Sequence, residues 1–157
     1  MAQRERNLSN TAENRGGNTP RRASEGENQN FAKRFNSQWI QSGVDEEAVQ
    51  FADDFGRFLV TNKMTTSQIR NVFGEIKRIQ IKGFDEEKPG FYLLKPKMAY
   101  AASRVERPKA KGINEFKKVF DQAHGEVKNN KDRYMNFVDF FEAILAYHKA
   151  HGGKDNG

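Results

Sequence analysis

From Phe35 to His148 the apolar positions fall three and four residues apart, the period of helices that each bury one face. No alternating Val/Ile/Thr run occurs, and no Asn-Gly turn joins two such runs, so strands are not expected. Phe35, Trp39 and Ile40 open the ordered region as a short helix or a packed arm, and Gly43 breaks it. The spacing predicts a helix over 46–62, capped by Asp45, with Ala48, Phe51, Ala52, Phe55, Phe58 and Leu59 on its inner face. Thr65 and Gln68 have capping-box spacing and start a second helix, whose stripe is Ile69, Val72, Phe73, Ile76 and Ile79 and which ends at Lys82-Gly83. The run FYLLKPKMAYAASR over 91–104 is apolar nearly all round and is therefore expected to be the most buried helix. Pro96 either kinks it or opens its main segment. A basic loop over 105–112 follows, closed by Pro108 and Gly112. Ile113, Phe116, Val119, Phe120, Ala123 and Val127 then mark a fourth helix, ended by Asn129-Asn130. Tyr134, Phe137, Val138, Phe141, Ile144, Leu145 and His148 mark a fifth, ended by Gly152-Gly153. The fold class expected is all-α, a compact bundle of about five helices with a disordered N-terminal tail.

Outside this region the pattern stops. Residues 1–30 hold only Met1, Ala2, Leu8, Ala12 and Ala23 as apolar groups, too few to offset the entropy of ordering. The expected organisation is a disordered polar tail over 1–30, a helical bundle domain over 31–151 and a short C-terminal tail over 152–157. No apolar stretch approaches the ~20 residues that span a bilayer, and the N-terminus has no apolar core of a signal peptide. There are no cysteines, which removes disulfides, thiolate metal sites and cysteine nucleophiles together. A cytoplasmic protein without a membrane partner is the expectation.

Charge changes the picture more than composition does. The 157-residue chain carries a formal net charge of +6, which permits a polyanionic partner. Its distribution is uneven: over 44–76 acids outnumber bases, whereas over 77–118 twelve basic side chains face five acidic ones. One basic stretch in an otherwise ordinary protein is the first pointer to a nucleic acid.

Catalytic constellations are hard to find. His148 and His151 are three apart on one helix, a spacing compatible with a metal pair, but no further ligand is implied. The pairs Asp53-Asp54 and Glu46-Glu47 are adjacent, so their side chains diverge, and they read as a solvated acidic face. No phosphate-binding glycine loop, nucleophile elbow or zincin motif is present. The expectation is a protein that is not an enzyme and needs no cofactor.

The basic residues are better organised. At 100° per residue, Arg70 and Lys77 fall on one side of the second helix with Gly74 between them. Lys97, Tyr100 and Arg104 form one stripe of the third, a phenol between two cations that suits a sugar-phosphate track. Lys95 adds charge to the same helix, and Arg107, Lys109 and Lys111 continue it into the loop. The competing reading is of solvated cations snorkelling beside the core. These residues make two functions possible: an RNA-contacting assembly subunit, or a free-standing helical nucleic-acid-binding protein such as a DNA-binding regulator. The second would read bases from a helix N-terminus, where Gln68, Arg70 and Asn71 are placed.

Three strings narrow this further: Thr65-Thr66-Ser67-Gln68-Ile69-Arg70, then 94–104 (LKPKMAYAASR), then 137–148 (FVDFFEAILAYH). In this order and spacing, over roughly 44–151, the chain resembles the small helical subunit of type III-A (Csm) CRISPR effector complexes. It carries Ser103 where that family usually has glycine before the arginine. The resemblance implies a non-catalytic, all-helical subunit. It implies several copies stacked along guide RNA and target RNA, beside the other subunits of the effector complex. Contacts would go mainly to sugar-phosphate, because base pairing reads the sequence. Arg70, Lys97 and Arg104 match the family's basic positions; Lys77, Lys95 and the loop cations follow from helical geometry alone.

Overall fold

The structure, a computed structural model, describes residues 30–154. The tail expected over 1–30 falls outside the described residues except for Asn30, as do residues 155–157. Two short helices, α1 (Phe31–Arg34) and α2 (Gln38–Gln41), precede five long ones. These are α3 (Glu46–Thr61), α4 (Thr66–Lys82), α5 (Lys88–Ser103), α6 (Lys111–Gly125) and α7 (Lys131–Ala150). A 3-10 turn, Arg107–Lys109, interrupts the α5–α6 connection, and no strand occurs among the described residues.

Local chemistry sets several of the boundaries. The Asp45 carboxylate accepts the Ala48 amide (2.8 Å) and starts α3. Thr65 and Gln68 form the full reciprocal box at α4, with the Gln68 carbonyl accepting the Thr65 amide at 2.8 Å. Gly83, at φ +103°, ends α4 in a region that other residues avoid. The Asn130 side chain accepts the Arg133 amide and opens α7, so Asn130 caps the last helix, while α6 itself stops at Gly125.

The long helices close a ring in which α3 neighbours α7, α7 neighbours α4, and α5 and α6 lead back to α3. Its interior is unusually aromatic. Phe55 meets Phe116, Phe120 meets Phe137, and Phe91 meets both Tyr134 and Phe137, at centroid distances of 5.5–6.2 Å. The helices α1 and α2 seal one side, α1 against α6 and α2 against α7, and bury Phe31, Trp39 and Ile40.

One expectation fails here: α5 is not the most buried helix. It buries Phe91, Leu94, Met98 and Ala102 but leaves Tyr92 56%, Leu93 52% and Tyr100 65% exposed. It packs mainly on α4 and α6, with Phe91 reaching the Tyr134 and Phe137 rings of α7, and its apolar residues on the side away from these neighbours stay exposed. Pro96 lies inside α5 and does not start a segment; Pro89 takes the first-turn place instead.

Two histidines belong to the core. His124 donates Nε2–H to the Phe91 carbonyl (2.8 Å) and stacks on that ring at 3.9 Å; His148 donates to the Met64 carbonyl (2.7 Å). Burial pushes the pKa of both down from the ordinary 6.5, against the opposing pull of those hydrogen bonds. The unfolded chain therefore takes up protons first as pH falls. Stability present above pH 6.5 is lost as pH drops through that value toward the folded-state pKa. The thermal midpoint should fall between about pH 7 and about pH 5, with each histidine contributing at most about 1.4 kcal/mol per pH unit. A melting curve unchanged across that window would contradict this account.

Candidate nucleic-acid interface

The outer face of α5 is where the basic stripe lies. Tyr100 and Arg104 point away from the Phe91–Leu94–Met98 line, Lys97 flanks it on the side of α4, and all three are exposed. The Arg104 guanidinium stands over the Tyr100 ring, 5.6 Å from its centroid. No Asp or Glu occurs in α5 itself.

The three residues are not equivalent electrostatically. Lys97 Nζ lies 3.3 Å from Glu75 Oε1 on α4. Glu75 is also 3.3 Å from Arg78, which pairs with Glu87 at 2.6 Å. Burial works against the charge on Glu75, but the hydrogen bonds from Lys97 and Arg78 outweigh it and hold its pKa below the usual range. Lys97 is therefore one corner of a network with two positive and two negative groups. Beside it, Asn71, Val72, Glu75, Leu94, Lys97 and Met98 line a groove of about 300 Å³ between α4 and α5.

The remaining candidates scatter. Arg70 is exposed on α4. Lys77 is half-buried, its ammonium 6.0 Å from the Phe73 ring. It also approaches Asp139 of α7, whose pKa burial and Glu142 raise while Lys77 opposes them. A side chain added at Gly74 would meet open space, so nothing inside the subunit requires a glycine there. Lys95 lies on the opposite flank of α5 from Lys97, close enough to His124 to disfavour its protonated form. Arg107, Lys109 and Lys111 are exposed on the 3-10 turn and the start of α6. The structure thus brings Tyr100 and Arg104 together, ties Lys97 to an acid, and separates Lys77 and Lys95 from the stripe.

Glu46 and Glu47 are exposed in the first turn of α3, as a solvated face requires, whereas Asp53 and Asp54 have partners across the fold. Asp54 pairs with Arg34 at 3.0 Å, and Asp53 accepts from His151 at 2.6 Å. His148 and His151 turn to different partners and do not converge. Among the described residues no group of three or more His, Asp or Glu side chains is placed to hold a metal ion. No helix of the described residues is long and apolar enough to cross a membrane. Glu75, Lys63 and Lys154 did not stand out in the sequence; only their partners across the fold give them a place at the surface described here and below.

A family model, Csm2 Type III-A, matches residues 44–154. The chain belongs to the Csm2 Type III-A family. It is a small subunit of a type III-A CRISPR defence complex, where it assembles with other subunits. Searches of the curated proteins and of the solved structures find no match. The Csm2 match begins at Val44, so α1 and α2 precede it although both contribute to the core.

Proposed function

We propose that this Csm2-family subunit is a non-catalytic, cytoplasmic RNA-contacting element that stacks in several copies along guide and target RNA and touches sugar-phosphate. The observation that carries the reading is the outer face of α5. It has cations, an exposed Tyr100 stacked by Arg104, and no carboxylate of its own. Arg104 and Tyr100 are its centre. Arg70, Lys97 and the cations Arg107, Lys109 and Lys111 extend it, and Lys77 and Lys95 contribute least. A DNA-reading regulator is disfavoured because Gln68 spends its side-chain carbonyl on the capping box, which removes a base-reading group from the exposed first turn of α4.

The full-length chain should bind single-stranded RNA without sequence preference. With three or four phosphate contacts, the slope of log K against log salt should be about −2 to −3. Arg104→Ala should weaken binding for all sequences alike and flatten that slope by somewhat under one unit, at a cost to stability of under about 1 kcal/mol. Tyr100→Ala should weaken binding without changing the slope, because stacking releases no counterions. Fluorescence anisotropy over a salt series measures all of these. A flat response for the unaltered chain would sink the reading. Unfolding of Arg104→Ala would make that residue a structural arginine.

A further inference from the structure

The two long-helix connections beside α3 and α6, together with the C-terminal segment, meet at one end of the bundle. The Gly112 amide donates to the Asn62 carbonyl at 3.3 Å, and a Cβ at Gly112 would come within 2.8 Å of that oxygen. The α5–α6 connection and the α3–α4 turn are therefore pressed backbone to backbone. On the other side of the turn, the Thr66 amide donates to the Lys154 carbonyl at 2.6 Å, and the Gly153 amide donates to the His148 carbonyl at 3.0 Å. Gly152–Lys154, expected to begin a tail, thus lie back against the start of α4.

This juncture collects positive charge from three parts of the sequence. It has Lys63 in the turn, Arg107, Lys109 and Lys111 in the connection, and Lys154 at the end. Among the described residues of these segments Glu106 is the one carboxylate, and Asp155 follows Lys154 in the sequence. The Lys111 ammonium stands 5.9 Å from the Phe58 ring, which places it over the last turns of α3. Between the turn and the C-terminal segment lies an open cavity of about 430 Å³. Among the described residues Val60 and Met64 line it with Thr61, Lys63, Thr65, Gly152 and Lys154, a set with two lysines, two threonines and no Asp or Glu. Lys63 holds φ at +75°, a conformation that glycine or asparagine adopts at less cost. The turn carries a cation at a position where geometry alone favours another residue.

We propose that RNA is also held at this end, with Lys63 and Lys154 as phosphate-binding residues of the cavity and the connection cations continuing the track across Asn62. The inference rests on the RNA-contact reading given above and assigns it a second surface. Lysines are point charges that suit phosphate without reading bases, and the hydroxyls add donors to its oxygens. An acidic protein is the competing occupant. Protein interfaces have an apolar core, yet the large exposed apolar side chains (Val44, Val49, Ile81, Tyr92, Leu93, Tyr100 and Met135) all lie outside these three segments. Charge with no large exposed apolar side chain in these segments favours a sugar-phosphate chain.

The test is a Lys63→Asn/Lys154→Gln double variant of the full-length chain, titrated with fluorescent oligouridine across a salt series. Loss of two single-strand phosphate contacts should flatten the salt slope by about 1.4 and weaken binding at least tenfold near 0.1 M salt. Lys97→Ala should lose less, since Glu75 already answers that charge. Asparagine suits the left-handed φ at Lys63, and the exposed Lys154→Glu reversal is a second variant that should act in the same direction; melting curves confirm that both fold. Wild-type affinity and slope in the double variant would overturn the proposal. Wild-type RNA binding with failure to enter the complex with its partner subunits would make this end a protein-docking surface and overturn it too. A flat salt response of the unaltered chain would instead strike the underlying RNA-contact reading and take the proposal with it.

Discussion

Removing residues 1–43 is expected to unfold the bundle, whereas removing residues 1–30 should leave its stability within about 1 kcal/mol of the full chain. Both cuts lie before the segment that the family model matches. The difference between them is α1 and α2. Phe31 sits 4.7 Å from Phe55, ring to ring, and Trp39 sits 5.1 Å from Phe51 and 5.8 Å from Phe140. Ile40 is fully buried, and its carbonyl accepts the Asn136 side-chain amide at 2.8 Å. The Phe31 amide donates to Glu115 (2.9 Å), and Arg34 pairs with Asp54. Truncating one buried Phe or Trp costs about 3–5 kcal/mol. Loss of Phe31, Trp39 and Ile40 together would approach the whole stability of an ordinary domain, about 5–15 kcal/mol. Circular dichroism melts of the two truncations decide the matter. If the shorter chain melts at the full-length midpoint, α1 and α2 are appendages and the core closes without them.

Gly56→Val should be the most damaging single substitution in α3, and Gly56→Ala should already destabilise. A Cβ at Gly56 would lie 2.8 Å from the backbone nitrogen of His148 and from the carbonyl carbon and Cβ of Tyr147, so α3 and α7 cross with main chains nearly touching. Helix propensity favours alanine over glycine by about 1 kcal/mol. Overpacking against a backbone that cannot rotate away costs about 1–3 kcal/mol, so the clash wins. Valine adds two methyl groups and should cost about 3 kcal/mol or more. Gly74→Ala is the control. Its Cβ would enter open space, so the propensity gain stands alone and the variant should be more stable by about 0.5–1 kcal/mol. Denaturant midpoints for the three variants give the ranking. Equal effects at Gly56 and Gly74 would show that the close crossing is not what makes Gly56 necessary.

What was legible in the sequence is what short range decides. The Asp45 cap and the Thr65–Gln68 box span three residues each, and their donors and acceptors are fixed by helical geometry alone. The inner faces of α3, α6 and α7 follow from period, because those helices have neighbours on the sides their apolar residues occupy. The same reasoning misjudged α5. Its apolar residues go nearly all round, but the number of partners a helix has is a property of the bundle, not of its own period. The candidate site divides in the same way. The Lys97–Tyr100–Arg104 stripe could be placed from angles within one helix. The Glu75 charge facing Lys97 comes from 22 residues earlier, and the meeting of Lys63 with Lys154 crosses most of the domain. Gly56 gave no signal, since a glycine at a helix crossing reads in one dimension like any other.

The last helix is the neighbour of α2, α3 and α4, all made earlier. During synthesis, the phenylalanine face of α3 is complete long before residues 131–150 emerge to cover it. At about 5–20 residues per second, the ribosome needs roughly 5–20 s to add the intervening chain. Over that interval neither Phe51 nor Trp39 has the Phe140 ring to pack against. The order in which the ring is written therefore makes this subunit a late folder, one that closes only when nearly all of it has left the ribosome.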